Sequence, residues 1–355
     1  MIVRRSDLAR AAALAMFIAF SACRPGPTAY IAVDPGRAAP EATPAVLRAA
    51  SADSVVSARF RNVHFHMWPG VALDLADLHG RMHSRRADGV VSFDDKQSFV
   101  LAIDTGAVGL AVGDLSRLMN TYVFAYRGAP LKDLSFTVDG THLVQHGVLH
   151  KVVDIPFEMD AEVSATPSGE IRVHPVSMKI CSISGQVLMA ALGVTLEKLI
   201  DVRQAKGVRV AGNDLFLDPT RLLPPPAIAG HLTSVALEPG RLVQYFGAST
   251  AGVDGRNMQP DSSAANYMLF RGGTLQFGKL FMVHADMEVV DLTPADAFDF
   301  DLAEYHEQLV AGHHLTLPDD GLLVYMPDLH NLTASQRALS ADGDVRLTPG
   351  KPRLR

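Results

Sequence analysis

Residues 155 to 163 settle more about the architecture of this chain than any other stretch. Ile155, Phe157, Met159, Ala161 and Val163 are interleaved with Glu158, Asp160 and Glu162. Successive side chains of a strand point to opposite faces, so this spacing makes one face greasy and the other wet, as on a half-buried antiparallel strand. Weaker versions recur at Val63-Phe65-Met67, Val71-Leu73-Leu75, Ile171-Val173, Val208-Val210, Leu215-Leu217, Leu275-Phe277 and Met287-Val289. Turn pairs such as Asp139-Gly140, Ser168-Gly169 and Gly212-Asn213 separate them at hairpin-like intervals. From Ser54 onward the chain is therefore expected to form a meandering, largely antiparallel sheet.

Two segments break the rhythm. After Asp114, a natural N-cap, Leu115, Leu118, Met119, Tyr122 and Val123 follow helical spacing. A second helix is predicted from about Ser184, with Leu188, Leu192, Thr195, Leu196 and Leu199 on one stripe and Val187, Ala191 and Ile200 widening it. A helix apolar over so much of its circumference needs cover on several sides. The expected fold is thus α+β, a curved, mostly antiparallel β-sheet wrapped around a long apolar helix. Leu222-Leu223-Pro224-Pro225-Pro226 excludes helix and ladder pairing and marks a stiff crossing. Residues 54–247 read as the main domain and 248–265, rich in Gly and Ser, as a long loop. Residues 266–332 add strands and a helix over Phe298 to Leu309 that complete or cap it, and 333–355 read as a disordered tail.

The amino terminus carries Arg4, Arg5 and Arg10 before an apolar run from Ala11 to Phe20, the length of a signal-peptide core and too short to span a bilayer. Phe20-Ser21-Ala22-Cys23 resembles the lipobox of bacterial lipoproteins, although Phe20 stands where Leu is usual. The resemblance implies that residues 1–22 are removed, that Cys23 carries the lipid, and that the protein is anchored at the cell envelope facing the periplasm. Arg24 after the cysteine favours the outer membrane. Residues 23–53, rich in Ala and Pro, read as a flexible tether. Loss of residues 1–22 takes 32 basic and 38 acidic residues to 29 and 37, a net charge of −8. That balance, with no basic patch, argues against nucleic acid as a partner. With Cys23 modified, Cys181 is left as a lone thiol, read as a small buried hydrophobe.

Taken in order, Ile155 to Val163, Ile171 to Ser177, the helix Gly185 to Ile200, and Gly207 to Leu217 followed by the three prolines resemble the tubular lipid-binding superfamily, which includes bactericidal permeability-increasing protein. The likeness spans Ser54 to Gly247 and is one of pattern, with no catalytic motif. It implies a helix packed inside a strongly curved sheet and a groove that holds acyl chains. Phe157, Met159, Val163, Leu188, Leu192, Leu196 and Leu199 are then the groove candidates, and Met159, Met178 and Met189 could adapt to variable tails. Binding there needs no cofactor. It would draw on about 0.8 kcal/mol for each methylene removed from water. Periodicity leaves open whether these side chains line a groove or fill a dry core, in which case the protein is a structural or interaction lipoprotein.

Val100-Leu101-Ala102-Ile103-Asp104-Thr105-Gly106-Ala107 resembles the active-site loop of aspartic proteases, in which two carboxylates share a proton. No second Asp-Thr-Gly occurs, so an enzyme using Asp104 ranks behind binding, and the segment reads as a turn after strand Phe99 to Ile103. His142, His146 and His150 fall on one strand face, and His64 and His66 form a similar pair. Zinc would need third and fourth ligands that the sequence does not identify, so these read as solvated sheet faces. Gly247 to Gly252 lacks the spacing of a serine-hydrolase elbow. In Asp296 to Asp301, alternation with Phe298 and Phe300 suits packing better than a calcium loop. No catalytic or metal residue is assigned.

Overall fold

The computed structural model describes residues 55–150, 154–180, 183–184, 195–247, 258–341 and 348–349. In chain order the strands are β1 (Val55–Trp68), β2 (Val71–Ser84), β3 (Val90–Ser92), β4 (Phe99–Ala111), β5 (Leu131–Asp139), β6 (His142–His150), β7 (Asp154–Ala165), β8 (Ile171–Ile180), β9 (Ile183–Ser184) and β10 (Val208–Ala211). They continue as β11 (Asp214–Leu217), β12 (Ala227–Ala229), β13 (Leu232–Glu238), β14 (Arg241–Phe246), β15 (Tyr267–Phe277), β16 (Leu280–Asp291), β17 (Phe298–Asp301), β18 (His313–Thr316), β19 (Leu322–Met326) and β20 (Thr348–Pro349). The helices are α1 (Val112–Leu118), α2 (Leu196–Leu199), α3 (Pro219–Leu222), α4 (Tyr305–Ala311) and α5 (Ala334–Ala341).

Two sheets hold these strands. The larger runs β13-β14-β4-β2-β1-β15-β16-β19-β18-β20, with β12 on β4, β17 on β1 and β3 on β15. The smaller runs β10-β11-β8-β7-β6-β5, with β9 on β8. Strand β1 is the hinge of the larger sheet. Its first half, Ser57 to Arg61, pairs antiparallel with β15, and its second half, Val63 to His66, pairs in parallel with Phe298 to Asp301 of β17. Between the halves Asn62 takes φ 50°, and the inward side of the strand changes from Ala58 and Phe60 to Val63, Phe65 and Met67. The left-handed residue corrects the side-chain phase, so both apolar runs face the core. Residues 266–332 thus complete the sheet begun by β1.

The smaller sheet uses the same device. Val163 faces Val173 and Ala161 faces Pro175, but Asp160 faces Ser177, so Val176 is an extra residue in β8. The bulge carries the buried side from Ile171 and Val173 to Met178, opposite Met159. All the sequence-predicted alternating segments lie in strands, and the three turn pairs join β5 to β6, β7 to β8 and β10 to β11.

The expected wrapping of a sheet about a long apolar helix is overturned. The chain is mostly strand, in two sheets, and the described residues contain only short helices, none long and apolar enough to cross a membrane. Of the predicted helix, residues 185–194 lie outside the described residues, and Leu196–Leu199 is a single turn between Thr195 and Ile200, both extended. Its apolar side chains press on the smaller sheet. Leu196 and the following Ile200 are buried, lining one cleft with Met159 and Met178 of that sheet.

Smaller expectations also change. Asp114 does not cap α1, whose N-cap is Ala111. It sits in the first turn, and its Oδ2 accepts from Ala72 N at 3.0 Å. The helix then widens into π form over Met119–Val123. Phe298 to Asp301 is strand, and the helix there begins only at Tyr305. Of the expected tail, Ala334–Ala341 form α5, where Arg337 reaches Glu304 and Glu307 of the α4 region. Asp104 lies inside β4, which runs through to Ala111, so Asp-Thr-Gly is no turn. Gly106, at φ 153°, passes so close to β2 that a Cβ there would stand 2.8 Å from Leu78 Cα.

Candidate functional site

Sheet alternation delivers the apolar face of the smaller sheet to the space between the two sheets. At its open end a cleft is lined by Leu131, Gln145, Leu149, Phe157, Met159, Met178, Ile180, Leu196, Leu199, Ile200 and Leu215. Four of the sequence-predicted groove residues, Phe157, Met159, Leu196 and Leu199, meet there. Val163 lines a neighbouring cavity instead, and Leu188, Leu192, Met189 and Cys23 lie outside the described residues. Phe157 lies over Gly147 of β6, directly opposite in register, where a Cβ would come within 3.0 Å of the ring.

The cleft is one of four neighbouring spaces whose linings have side chains in common. It shares Leu131, Gln145 and Leu215 with a second cavity under α1, which also touches Leu134, Phe136 and Val208. That one shares Leu115, Leu143, Val173 and Leu217 with a third, bounded by Val163 and Leu222. The third shares Leu223 and Gln244 with a fourth, which reaches Phe60, Phe93 and Phe99 under the larger sheet. Together with their open mouths the spaces measure about 380, 420, 420 and 620 Å³. Each has room for only about two to four waters between the side chains. Among the described residues that line these spaces the polar side chains are two amides, Gln145 and Gln244. The stiff Leu223 to Pro226 crossing walls the deep end. Leu215 belongs to an alternating segment read from the sequence, whereas Leu131 and the two glutamines were not singled out, because nothing in their local spacing marks them.

A second constellation occupies the outer side of the larger sheet. Across β2, β1 and β17, Asp74, His64 and Asp299 are direct register neighbours. His64 Nδ1 is 2.6 Å from Asp74 Oδ1, and His66 Nε2 is 2.6 Å from Asp299 Oδ1. His330 Nδ1 is 2.8 Å from Asp299 Oδ2. Burial pushes the Asp299 carboxyl up, but the hydrogen bonds from His66 and His330 outweigh it and bring the pKa down to about 2. The Asp74 carboxylate raises His64, and that of Asp299 raises His330. The sequence showed His64 and His66 as a pair on one strand face and read them as solvated. It gave no sign of Asp74, Asp299 or His330 beside them, since nothing local links strands so far apart.

The remaining motifs resolve into ordinary contacts. The Asp104 carboxylate is gripped by Arg81, Nε at 3.0 Å and a terminal nitrogen at 2.6 Å, so its charge partner is a guanidinium and not a second carboxylate. His146 pairs with Glu158 and His150 with Asp154 on the outer face of the smaller sheet. Phe298 and Phe300 are fully buried. Comparison with protein-family models, with curated proteins and with solved structures returned no match for this chain.

Proposed function

We propose that the protein binds a lipid or similar molecule with a long apolar tail, taken up at the cleft beside Phe157 and Leu199 and threaded toward the space under the larger sheet, while Cys23 tethers it to a membrane of the cell envelope. The observation that supports this reading is the run of four neighbouring spaces whose linings share side chains, with Gln145 and Gln244 as the polar side chains among the described lining residues. The narrowness between the spaces calls for side chains that yield, and Met159 and Met178 at the cleft are of that kind. Gln145, buried where the cleft meets the second cavity, offers an amide to an ester or carboxyl oxygen. The role of the long helix in the sequence-derived picture is taken by the α2 turn and the face of the smaller sheet.

The test uses the full chain, purified without detergent, and fluorescent fatty acids of twelve, fourteen and sixteen carbons. Each added pair of methylenes should tighten binding about 15-fold until the path is full, from ~0.8 kcal/mol per methylene. Leu199→Trp, at the half-buried rim, should weaken it at least tenfold with little change in melting temperature. Absence of saturable binding, or affinity independent of tail length, overturns the proposal. For the tether, Cys23→Ala should move the protein out of the membrane fraction, and its continued retention there would refute the anchor.

A further inference from the structure

We propose that His64, His66 and Asp299 form a binding site for a divalent transition-metal ion, with Zn²⁺ as the best fit, held on the outer face of the larger sheet and independent of the apolar path. Each residue offers one ligand atom, and these atoms all lie within 4.8 Å of one another. His64 and His66 stand two apart on β1 and so share a face, their rings 4.7 Å apart edge to face. Parallel pairing of β17 sets Asp299 directly opposite His64. A tetrahedral ion with ligands at about 2.0 to 2.1 Å spaces its donors ~3.3 Å apart. The cluster meets that spacing if the His66–Asp299 hydrogen bond opens by about 0.7 Å and His64 swings inward, rotations that leave the strands in place.

What surrounds the three donors is arranged as a metal site requires. Asp74 holds His64 Nδ1 and thereby leaves Nε2 as the free nitrogen, the carboxylate–imidazole–metal relay that fixes ring orientation. His330 and its backbone N–H hold the second carboxylate oxygen of Asp299, so Oδ1 is the one presented. The backbone of Asp299 is itself fixed, its N–H donating to buried Asp328 and its carbonyl accepting from buried Gln308, both at 2.8 Å. Asp114 adds negative charge near His64, and Asp296 and Asp328 do so near His330, a field that favours a cation. The side chains of His64 and His66 keep 37% and 26% of their surface in solvent, which leaves an entry route and room for a water or a substrate atom at the fourth position. Two imidazoles with one carboxylate suit zinc and its first-row neighbours, whereas calcium and magnesium take oxygen donors almost alone.

The experiment is Zn²⁺ titration of the full, tag-free chain after stripping with a chelator, followed by calorimetry. One ion should bind per chain. His66→Gln should weaken that event at least 100-fold, and Asp74→Asn, which only frees His64 to turn, about 10 to 100-fold. His146→Gln, on the other sheet, should leave it within twofold. Co²⁺ should give visible d–d bands in the parent that are lost in His66→Gln. His66→Gln carries the test because it leaves Asp299 and its strand contacts intact, and circular dichroism verifies its fold. Equal Zn²⁺ affinity in the parent and in a folded His66→Gln chain, or no binding by either, overturns the assignment.

Discussion

Asp299→Asn, followed by urea unfolding across pH in the presence of a chelator, isolates what the imidazole–carboxylate cluster contributes to stability. The Asp299 carboxyl titrates at about 2 in the folded chain against 3.8 when unperturbed. Its folded value is depressed, so it adds stability that is fully present above pH 3.8 and is lost as pH falls through about 2. The gap of 1.8 between those values, at about 1.36 kcal/mol per pH unit, amounts to ~2.4 kcal/mol at neutral pH. The same linkage leaves roughly 1.3 kcal/mol at pH 3. His330 works in the opposite sense. Its raised pKa means that its contribution is whole below 6.5 and fades as pH rises through the folded value, so the parent should be steadiest between about pH 4 and 6.5. The measurement is the difference in unfolding free energy between parent and Asp299→Asn at pH 6 and at pH 3. That difference should be about 2 to 3 kcal/mol at pH 6 and roughly half as large at pH 3. A gap that stays constant, or widens toward acid, refutes the view that His66 and His330 hold this carboxylate in its charged form.

Three other outcomes follow from the packing and the charge pairs. Gly106→Ala should cost several kcal/mol and lower the melting temperature sharply, because the new Cβ meets the backbone of β2 and φ 153° suits glycine; an unchanged melting temperature would mean that β4 can slide. Arg81→Met should destabilise by ~3 to 5 kcal/mol by leaving Asp104 buried and unpaired, and adding Asp104→Leu should restore part of it, as a double-mutant cycle would show. Phe93→Ala should cost about 3 to 5 kcal/mol, since the ring sits within 5.0 to 6.4 Å of Phe270, Phe277, Phe300 and Tyr305, and chemical denaturation would measure it.

The strands of this protein were legible because period two is a local signal: Val63, Phe65 and Met67, or Phe157, Met159 and Ala161, declare their inner face without knowledge of their neighbours. The apolar stripe Leu188 to Leu199 misled for a physical reason. Leucines at helical spacing need cover, but one turn pressed on a sheet face meets that need for Leu196 as fully as a sheet wrapped around a helix. Asp-Thr-Gly looked like a turn because glycine after a polar pair usually marks one, whereas Gly106 is there for clearance. Val176 and Asn62 change phase within continuous strands, and alternation read from either end misses the switch. Of the candidate site, Phe157, Met159 and Leu215 were within reach of pattern because they lie on alternating strands, whereas Leu131, Gln145 and Leu149 carry no such local mark. The union of His66 with Asp299 spans 233 positions, and such a pairing is set by sheet order, which no local spacing encodes.

The place of β1 also governs how the molecule is made. Its long side against β2 can form early, as a hairpin closed at Pro69-Gly70. Its other side stays bare until Tyr267 and Phe298 have been synthesised, more than 200 residues later. Until then the nascent larger sheet carries an open row of backbone donors and acceptors beside Phe60 and Phe65, ready to pair with any other unfinished copy. A chain ended at Gly247 is accordingly expected to aggregate, and the high sequence separation of these partners makes final assembly slow.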